Sequence, residues 1–431
     1  MGAGKSSSAI WHINHSEDRF LYCTPYLTEV DRILKECSAK RFSQPMSGKS
    51  GKGGKKYSLV NLMRERRNIA TTHALFGQLD ERIEDDDEQI VVSPEIIGLA
   101  KEGEYSLVID EAYDVIQDAD LNDRDIEMMM DAGLIGIARD NNQLYVTEAG
   151  EEYAAVGRNH KKDLENIRKH TIIAHGKGKF SSLIYPPEIF GAFKDVYILT
   201  YMFDGSVMQS YFNMNGLDYK RIGVKHLDDH YEFFDGETEI PDYVLGIRDK
   251  IYVYDDQRLN DIGRLPWTLS DSWYDKHDDD AGSGMVRRNT RTFIRKCMVG
   301  LDESSEKDYI MWTVYKKYCG SIIERYVTKK TFVSVGTKAT NMYADRKYLA
   351  FLVNMFMNPN LKHTFEKMGV SYNEDNYALS SLVQWVWRSA IRNGEPIKIY
   401  IPSKRMRELF IGWLDDITAQ AAAQRVELAG V

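Results

Sequence analysis

Tyr105-Ser106-Leu107-Val108-Ile109-Asp110-Glu111 is the stretch that decides the fold. A short apolar run of this kind reads as a strand buried on both faces, as in a parallel sheet. It closes in two consecutive carboxylates, at the strand end where open α/β sheets bind their ligands. Asp110 can hold the hydration shell of Mg2+ there, and Glu111 can polarise an attacking water, the division of labour of a Walker B strand. An apolar run ending in Asp-Glu can equally open a helix, so a partner motif has to decide. Met1-Gly2-Ala3-Gly4-Lys5-Ser6-Ser7, about a hundred residues upstream, is the second half of the phosphate-loop pattern GxxxxGK[ST]. Gly2, Ala3 and Gly4 let the backbone curl so that its N–H groups face phosphate, and the helix opened by Lys5, Ser6 and Ser7 adds its positive dipole end. Lys5 would reach the β and γ phosphates, and Ser6 with Asp110 would hold the metal. The two motifs together predict a P-loop NTPase of the α/β class, with ATP and Mg2+ as cofactors and Lys5, Asp110 and Glu111 in catalysis.

Two details qualify the phosphate loop. The first glycine of the pattern would fall one position before Met1, with the strand that feeds the loop ahead of it, so the chain reads as shortened at its N-terminus. A second Gly-Lys-Ser, Gly48-Lys49-Ser50, follows Phe42-Ser43-Gln44-Pro45-Met46 with no glycine at the required spacing and no apolar strand before it. It reads as a basic loop.

Further strands and helices alternate around these motifs. Phe20 to Thr24 is a short apolar strand stopped by Pro25, and Leu27, Val30, Ile33 and Leu34 mark one face of the helix that follows. Asn68 to Thr72, before His73, repeats the form, and Val196 to Phe203 is another apolar run. Near the C-terminus Gln384, Arg388 and Arg392 are spaced i, i+4, i+8, which on a helix is one stripe distinct from the apolar face of Leu379, Leu382, Val383, Val386 and Ala390. An arginine stripe of that kind can stabilise charge on a phosphoryl group in the transition state. Pro396 to Pro402 reads as a strand, and Ser403 as the cap of a last helix.

On these residues the sequence resembles superfamily-2 helicases, particularly the DEAD/DEAH-like helicase proteins of phages of low-GC Gram-positive bacteria. The resemblance implies two RecA-like P-loop NTPase lobes with inserted segments. Gly2 to Ser7 matches the first helicase motif, and Tyr22-Cys23-Thr24-Pro25-Tyr26 the next, which implies nucleic-acid contacts from Thr24 and Pro25. Thr72 and His73 sit where the family's following strand end touches the nucleic-acid backbone. Asp110-Glu111-Ala112-Tyr113 matches motif II, with tyrosine where the better-known families carry Asp or His. Of motif III only Thr200 carries over. Val333 to Asn341, followed by a helix over Tyr343 to Asn354, looks like motif V, with Lys338 and Thr340 as phosphate contacts. Gln384 to Arg392 resembles motif VI, with Trp387 in place of a glycine and the last arginine one residue late, so either Arg388 or Arg392 is the arginine finger.

The 431 residues predict two domains. We expect a first lobe over residues 1–203 with an insertion at about 117–190, a linker at Asp204-Gly205, and a second lobe over 204–431 with an insertion at about 240–330. Hydrophobic residues are 43% and charged residues 28%, as in a globular protein, and no apolar run is long enough to span a bilayer. Cys23, Cys37, Cys297 and Cys319 show neither CxxC pairing nor His partners, consistent with free thiols in the cytoplasm, the host's if the chain is phage-encoded. The net charge of −9 argues against a simple nucleic-acid coat but not against a motor with a local positive path. The function expected is therefore an ATP-dependent helicase or translocase on nucleic acid, single-stranded DNA foremost, in phage DNA replication, with replisome proteins as further partners and no membrane. Two alternatives share the motifs: a nucleotide-gated module that binds DNA or the replisome without unwinding, and a packaging-type motor.

Overall fold

In the computed structural model, residues 2–47, 54–77, 82–85, 88–112, 115–118, 121–139, 142–156, 159–169, 171–174, 180–183, 187–278, 280–298, 309–337 and 342–428 are described. Gly48-Lys49-Ser50, Tyr113, Lys338 and Thr340 lie outside them. The chain forms two units. One holds residues 4–237 with 358–372, the other residues 1–3, 238–357 and 373–431. Each is α/β.

The first unit is built on a five-stranded sheet. Its strands are β1 (Arg19–Thr24), β2 (Phe42–Ser43), β3 (Asn68–Thr72), β6 (Tyr105–Asp110) and β12 (Val196–Leu199), in the order β12-β6-β1-β3-β2. All pair in parallel. The inner strands β1, β3 and β6 are buried nearly throughout because helices cover both faces. Ala9, Ile10 and Ile13 of helix α1 (Lys5–His15) and Val30 and Ile33 of helix α2 (Leu27–Glu36) pack with Phe20, Tyr22, Val108 and Leu199. Cys23 lies opposite both Ile109 and Thr71, and Ile109 opposite Ile198. Thr24, Thr72, Asp110 and Leu199 therefore finish on one edge.

Two larger additions and one small hairpin decorate this sheet. Between β6 and β12 the chain makes an antiparallel sheet of β7 (Ile116–Asp118), β10 (Thr171–Ala174) and β11 (Phe180–Leu183), together with the hairpin of β8 (Ile135–Ile137) and β9 (Leu144–Val146). Ile126, Met129, Ile135, Leu144, Leu164, Ile167 and Ile172 give this segment its own core. The helix Pro359–Lys367 packs on β7 and β11, which is why residues 358–372 join the first unit. A smaller hairpin, β4 (Arg82–Asp85) with β5 (Glu88–Val91), precedes β6. The second addition is the hairpin of β13 (Gly223–Leu227) and β14 (His230–Phe234), laid against α1. His230 stacks on Trp11 with centroids 4.5 Å apart, and Phe233 stacks on Tyr197 of β12 at 5.8 Å.

The second unit has a four-stranded parallel sheet, β15 (Ile251–Val253), β16 (Ile310–Thr313), β17 (Tyr348–Phe351) and β18 (Ile397–Tyr400), in the order β15-β18-β17-β16. Ser403 caps the last helix, Lys404–Leu428, which buries Met406, Phe410 and Leu414.

Three expectations need correction. The division falls at residues 237/238, because helix Val207–Met214 and the β13–β14 hairpin pack with the first unit, so Asp204-Gly205 is a turn within it. Residues 240–330 are no insertion, since they supply β15, β16 and the helix Ala281–Cys297 to the second unit's own core. Two arginines of that helix serve locally, Arg291 paired to Glu324 and Arg287 3.9 Å from the same carboxylate. Residues 343–354 hold β17 and an extended continuation rather than a helix: Leu349 to Val353 are all buried, and a short all-apolar run does not distinguish strand from helix until its neighbours do.

Gly263 shows how closely the second unit is packed, for a Cβ placed there would stand 2.0 Å from the Pro402 carbonyl oxygen. Gly263→Ala is expected to cost about 1–3 kcal/mol by overpacking. Gly246→Ala, where nothing lies within 4 Å, should be neutral. Thermal denaturation of the two variants side by side checks this, and equal midpoints would refute the packing.

Candidate active site

Gly4 caps α1 with φ of 80°, a left-handed conformation natural only to glycine. The Tyr231 ring of the β14 strand lies directly on it, leaving no room for a Cβ. The turn is closed by Ser8, whose amide and hydroxyl both donate to the Gly4 carbonyl at 2.8 and 3.1 Å. Lys5 and Ser6 follow in the first helical turn, with Ser7 half-buried behind them. Gly2, with φ of 74°, and Ala3 group by their contacts with the second unit.

Across the first unit, β6 delivers Asp110 to the same place. The Ser6 hydroxyl donates to Asp110, its oxygen 3.1 Å from Oδ1 and 3.3 Å from Oδ2. The Tyr22 hydroxyl, on a fully buried side chain of β1, reaches Oδ2 at 3.2 Å. Burial raises the Asp110 carboxyl to about 6, with the neighbouring Glu111 charge adding to the shift, while the bonds from Ser6 and Tyr22 oppose it. Lys5 shows the complementary effect. Desolvation lowers its ammonium, against the attraction of Asp110 and Glu111, and its Nζ stands 5.9 Å from the Tyr201 ring centroid. Glu111 adopts φ of 68°, rare for a residue with a side chain, and its amide donates to the Leu199 carbonyl at 3.0 Å. The fold thus gathers Gly4, Lys5, Ser6, Asp110 and Glu111 around one point.

The other residues singled out from sequence fare differently. Thr24 is wholly buried, so its hydroxyl does not meet a nucleic-acid backbone in this conformation. Thr72 accepts the Leu75 amide at 3.3 Å as cap of the helix His73–Phe76. Pro25 and His73 are half-buried at the same strand edge. The arginine stripe is broken. The helix Glu374–Val386 ends in a tight turn in which the Ser389 amide and hydroxyl both donate to the Val386 carbonyl, at 3.0 and 2.6 Å, and a separate turn, Ala390–Asn393, follows. Gln384 bonds Ser380 at 3.0 Å, Arg388 is buried, and Arg392 is exposed, so the three do not share a stripe and Arg392 is the one at the surface. Tyr22 was missed as a site residue. Its signal was a tyrosine in an otherwise apolar buried strand, where the hydroxyl must find a partner.

The chain is 30% identical over 426 residues to the SPbeta prophage-derived protein YonV of Bacillus subtilis (strain 168), covering 96% of this chain and 97% of that one. The chain belongs to the YonV family. Residues 246–414 match the YonV C-terminal Rossmann-like domain, a span that contains all four strands of the second unit's sheet and none of Lys5, Ser6, Asp110 or Glu111. The solved structure of S. tokodaii Xpd4 aligns with a TM-score of 0.41 and 10% identity, over 92% of this chain and 88% of that one. Likeness at that level carries no functional argument.

A carboxyl whose value is raised in the folded state costs stability once it ionises. That cost is complete above pH 6 and fades as the pH falls toward the ordinary carboxylate value near 4. Asp110→Asn in the YonV-family protein should therefore raise the melting temperature at pH 8, by the equivalent of about 1–2 kcal/mol after allowance for partial solvent access. The gain should disappear near pH 4. Tyr22→Phe, which only removes a buried donor, should lower stability by about 1 kcal/mol. Calorimetry across pH tests both, and an Asp110→Asn gain that grew on acidification would contradict the sign.

Proposed function

We propose that this protein is an ATP hydrolase whose cycle is coupled to single-stranded nucleic acid, a helicase or translocase. The observation that carries the reading is the hydrogen-bonded Ser6–Asp110 pair, closed in by Lys5 and Glu111. The residues fit the expected ligands. Ser6 and Asp110 offer hard oxygen donors side by side, as Mg2+ requires, and a carboxyl held up by burial is relieved by a cation. Lys5, at a helix N-terminus behind a left-handed glycine, fits phosphate. Bound there, Mg2+ with ATP would neutralise phosphate charge and align the attacked phosphorus. Lys5 would bind the phosphate oxygens, and Ser6 and Asp110 would hold the cation, with Tyr22 fixing the Asp110 carboxylate. Glu111 would orient the water and take its proton. The bond from the Glu111 amide to the Leu199 carbonyl ties this residue to the end of β12, next to Thr200.

The coupling to nucleic acid rests on the resemblance to superfamily-2 helicases and on the strand edge that carries Pro25 and His73 beside Asp110. The prophage derivation of YonV supports a phage origin, and the proposal extends this to phage DNA replication in the host cytoplasm with replisome proteins as partners. Among the described residues no helix is long and apolar enough to cross a membrane.

Steady-state ATP hydrolysis with and without single-stranded DNA tests the reading. Lys5→Ala and Glu111→Gln should each lower turnover by about 100-fold or more, and DNA should stimulate only the chain that retains both. Turnover untouched by Lys5→Ala would refute the site. Lys5-dependent turnover indifferent to DNA would refute the coupling. Nucleotide binding without turnover would favour the nucleotide-gated binding module.

A further inference from the structure

Trp267 is 69% exposed, the most exposed of the tryptophans, and Leu265 beside it is 62% exposed. Neither belongs to the site above. A large aromatic ring in water is ordinarily found on a yielding loop, but this loop is pinned. The buried Asn354 amide donates to the carbonyls on both sides of Trp267, at 2.7 Å to Pro266 and 3.1 Å to Thr268, and its backbone N–H donates to Leu269 at 2.9 Å. The Ser270 hydroxyl donates to the Trp267 carbonyl at 2.8 Å.

Behind the indole stands a column. The Trp267 and Phe356 rings have centroids 5.1 Å apart at 33°, and the Arg405 guanidinium lies 4.6 Å from the Phe356 centroid. Arg405 is held by Asp375 at 2.7 Å and donates to the Met355 carbonyl at 2.6 Å. Phe356 follows β17 and Arg405 follows β18, so the column rises from the carboxyl ends of parallel strands, where open α/β sheets receive ligands. Gly263 packs against Pro402 and Ser403, which brings Arg264 and Lys404 to the same margin, each exposed and paired with a neighbour on its own turn, Asp261 and Glu408.

We infer that the Trp267–Phe356–Arg405 column is a platform on which an unpaired base of single-stranded nucleic acid stacks, with Arg264 and Lys404 meeting the adjoining phosphates. This rests on the nucleic-acid half of the proposed function. A flat ring backed by a second ring and a cation offers a π-face to any base, which gives binding without sequence preference. The exposed apolar area of this loop amounts to Leu265, Pro266 and Trp267, far below the roughly 800 Å² per partner of a stable protein interface.

The test uses the full chain with Trp267→Ala and Trp267→Phe, and fluorescence anisotropy with labelled oligothymidylate, an abasic oligomer of equal length and a duplex. Trp267 is largely in water, so both variants should melt with the wild type. Trp267→Ala should weaken oligothymidylate binding about tenfold, while Trp267→Phe retains most of the affinity. The abasic oligomer and the duplex should bind wild type and Trp267→Ala alike. Equal oligothymidylate affinity in wild type and Trp267→Ala overturns the platform in favour of a protein-binding surface, and DNA-stimulated hydrolysis in that variant would leave the proposed function standing. Failure of the wild type to bind any oligomer overturns both the platform and the nucleic-acid coupling, and Lys5-dependent hydrolysis would then survive alone.

Discussion

Cys23 lies opposite Ile109 on one side and Thr71 on the other, and this parallel register obliges β1, β3 and β6 to end together. A parallel sheet with helices on both faces has no other place for polar chemistry, because its strands are apolar along their length and only their ends reach solvent. Asp110 and Glu111 occupy such an end. Tyr22, Ser6 and Lys5 converge on Asp110 because β1 is its strand neighbour and α1 covers the same sheet. A shift of one residue in the β1–β6 pairing would turn Tyr22 to the opposite face and separate its hydroxyl from the carboxylate.

The site is costly to the fold in the absence of ligand. It buries a carboxylate beside a second carboxylate, lowers a lysine ammonium by desolvation, and holds Glu111 in a left-handed conformation. None of these features improves packing. The proposed magnesium-bound polyphosphate would relieve the two charge effects, supplying a cation to the carboxylates and an anion to the lysine. The second unit pursues a different economy. Its aromatic column keeps Trp267 in water on a loop that Asn354 holds rigid, so any binding there spends little on ordering the loop.

Much of the first unit was legible because its signals are local. Phe20 to Thr24, Asn68 to Thr72 and Tyr105 to Asp110 are apolar runs bounded by polar residues, and each is a strand. The Gly-Lys-Ser at the start of α1 and the Asp-Glu at the end of β6 carry their chemistry in their spacing. The second unit was harder. Residues 343–354 read as helix because aromatic and aliphatic side chains fill both faces, which is also what a central parallel strand requires. The stripe of Gln384, Arg388 and Arg392 failed because the helix ends in a tight turn, with the Ser389 amide and hydroxyl both on the Val386 carbonyl, before the stripe is complete.

By itself the sequence determined the α/β class, the strand that ends in Asp110, and the glycine-led helix start at Lys5, since each depends on a few adjacent residues and their backbone preferences. Only the tertiary structure decided that Tyr22 bonds Asp110, that residues 240–330 belong to the second unit's core, and that Trp267 stands on Phe356, whose ring Arg405 also meets. Those relations join residues tens or more than a hundred positions apart, and sheet order and side-chain packing, which no local pattern encodes, set the distances between them.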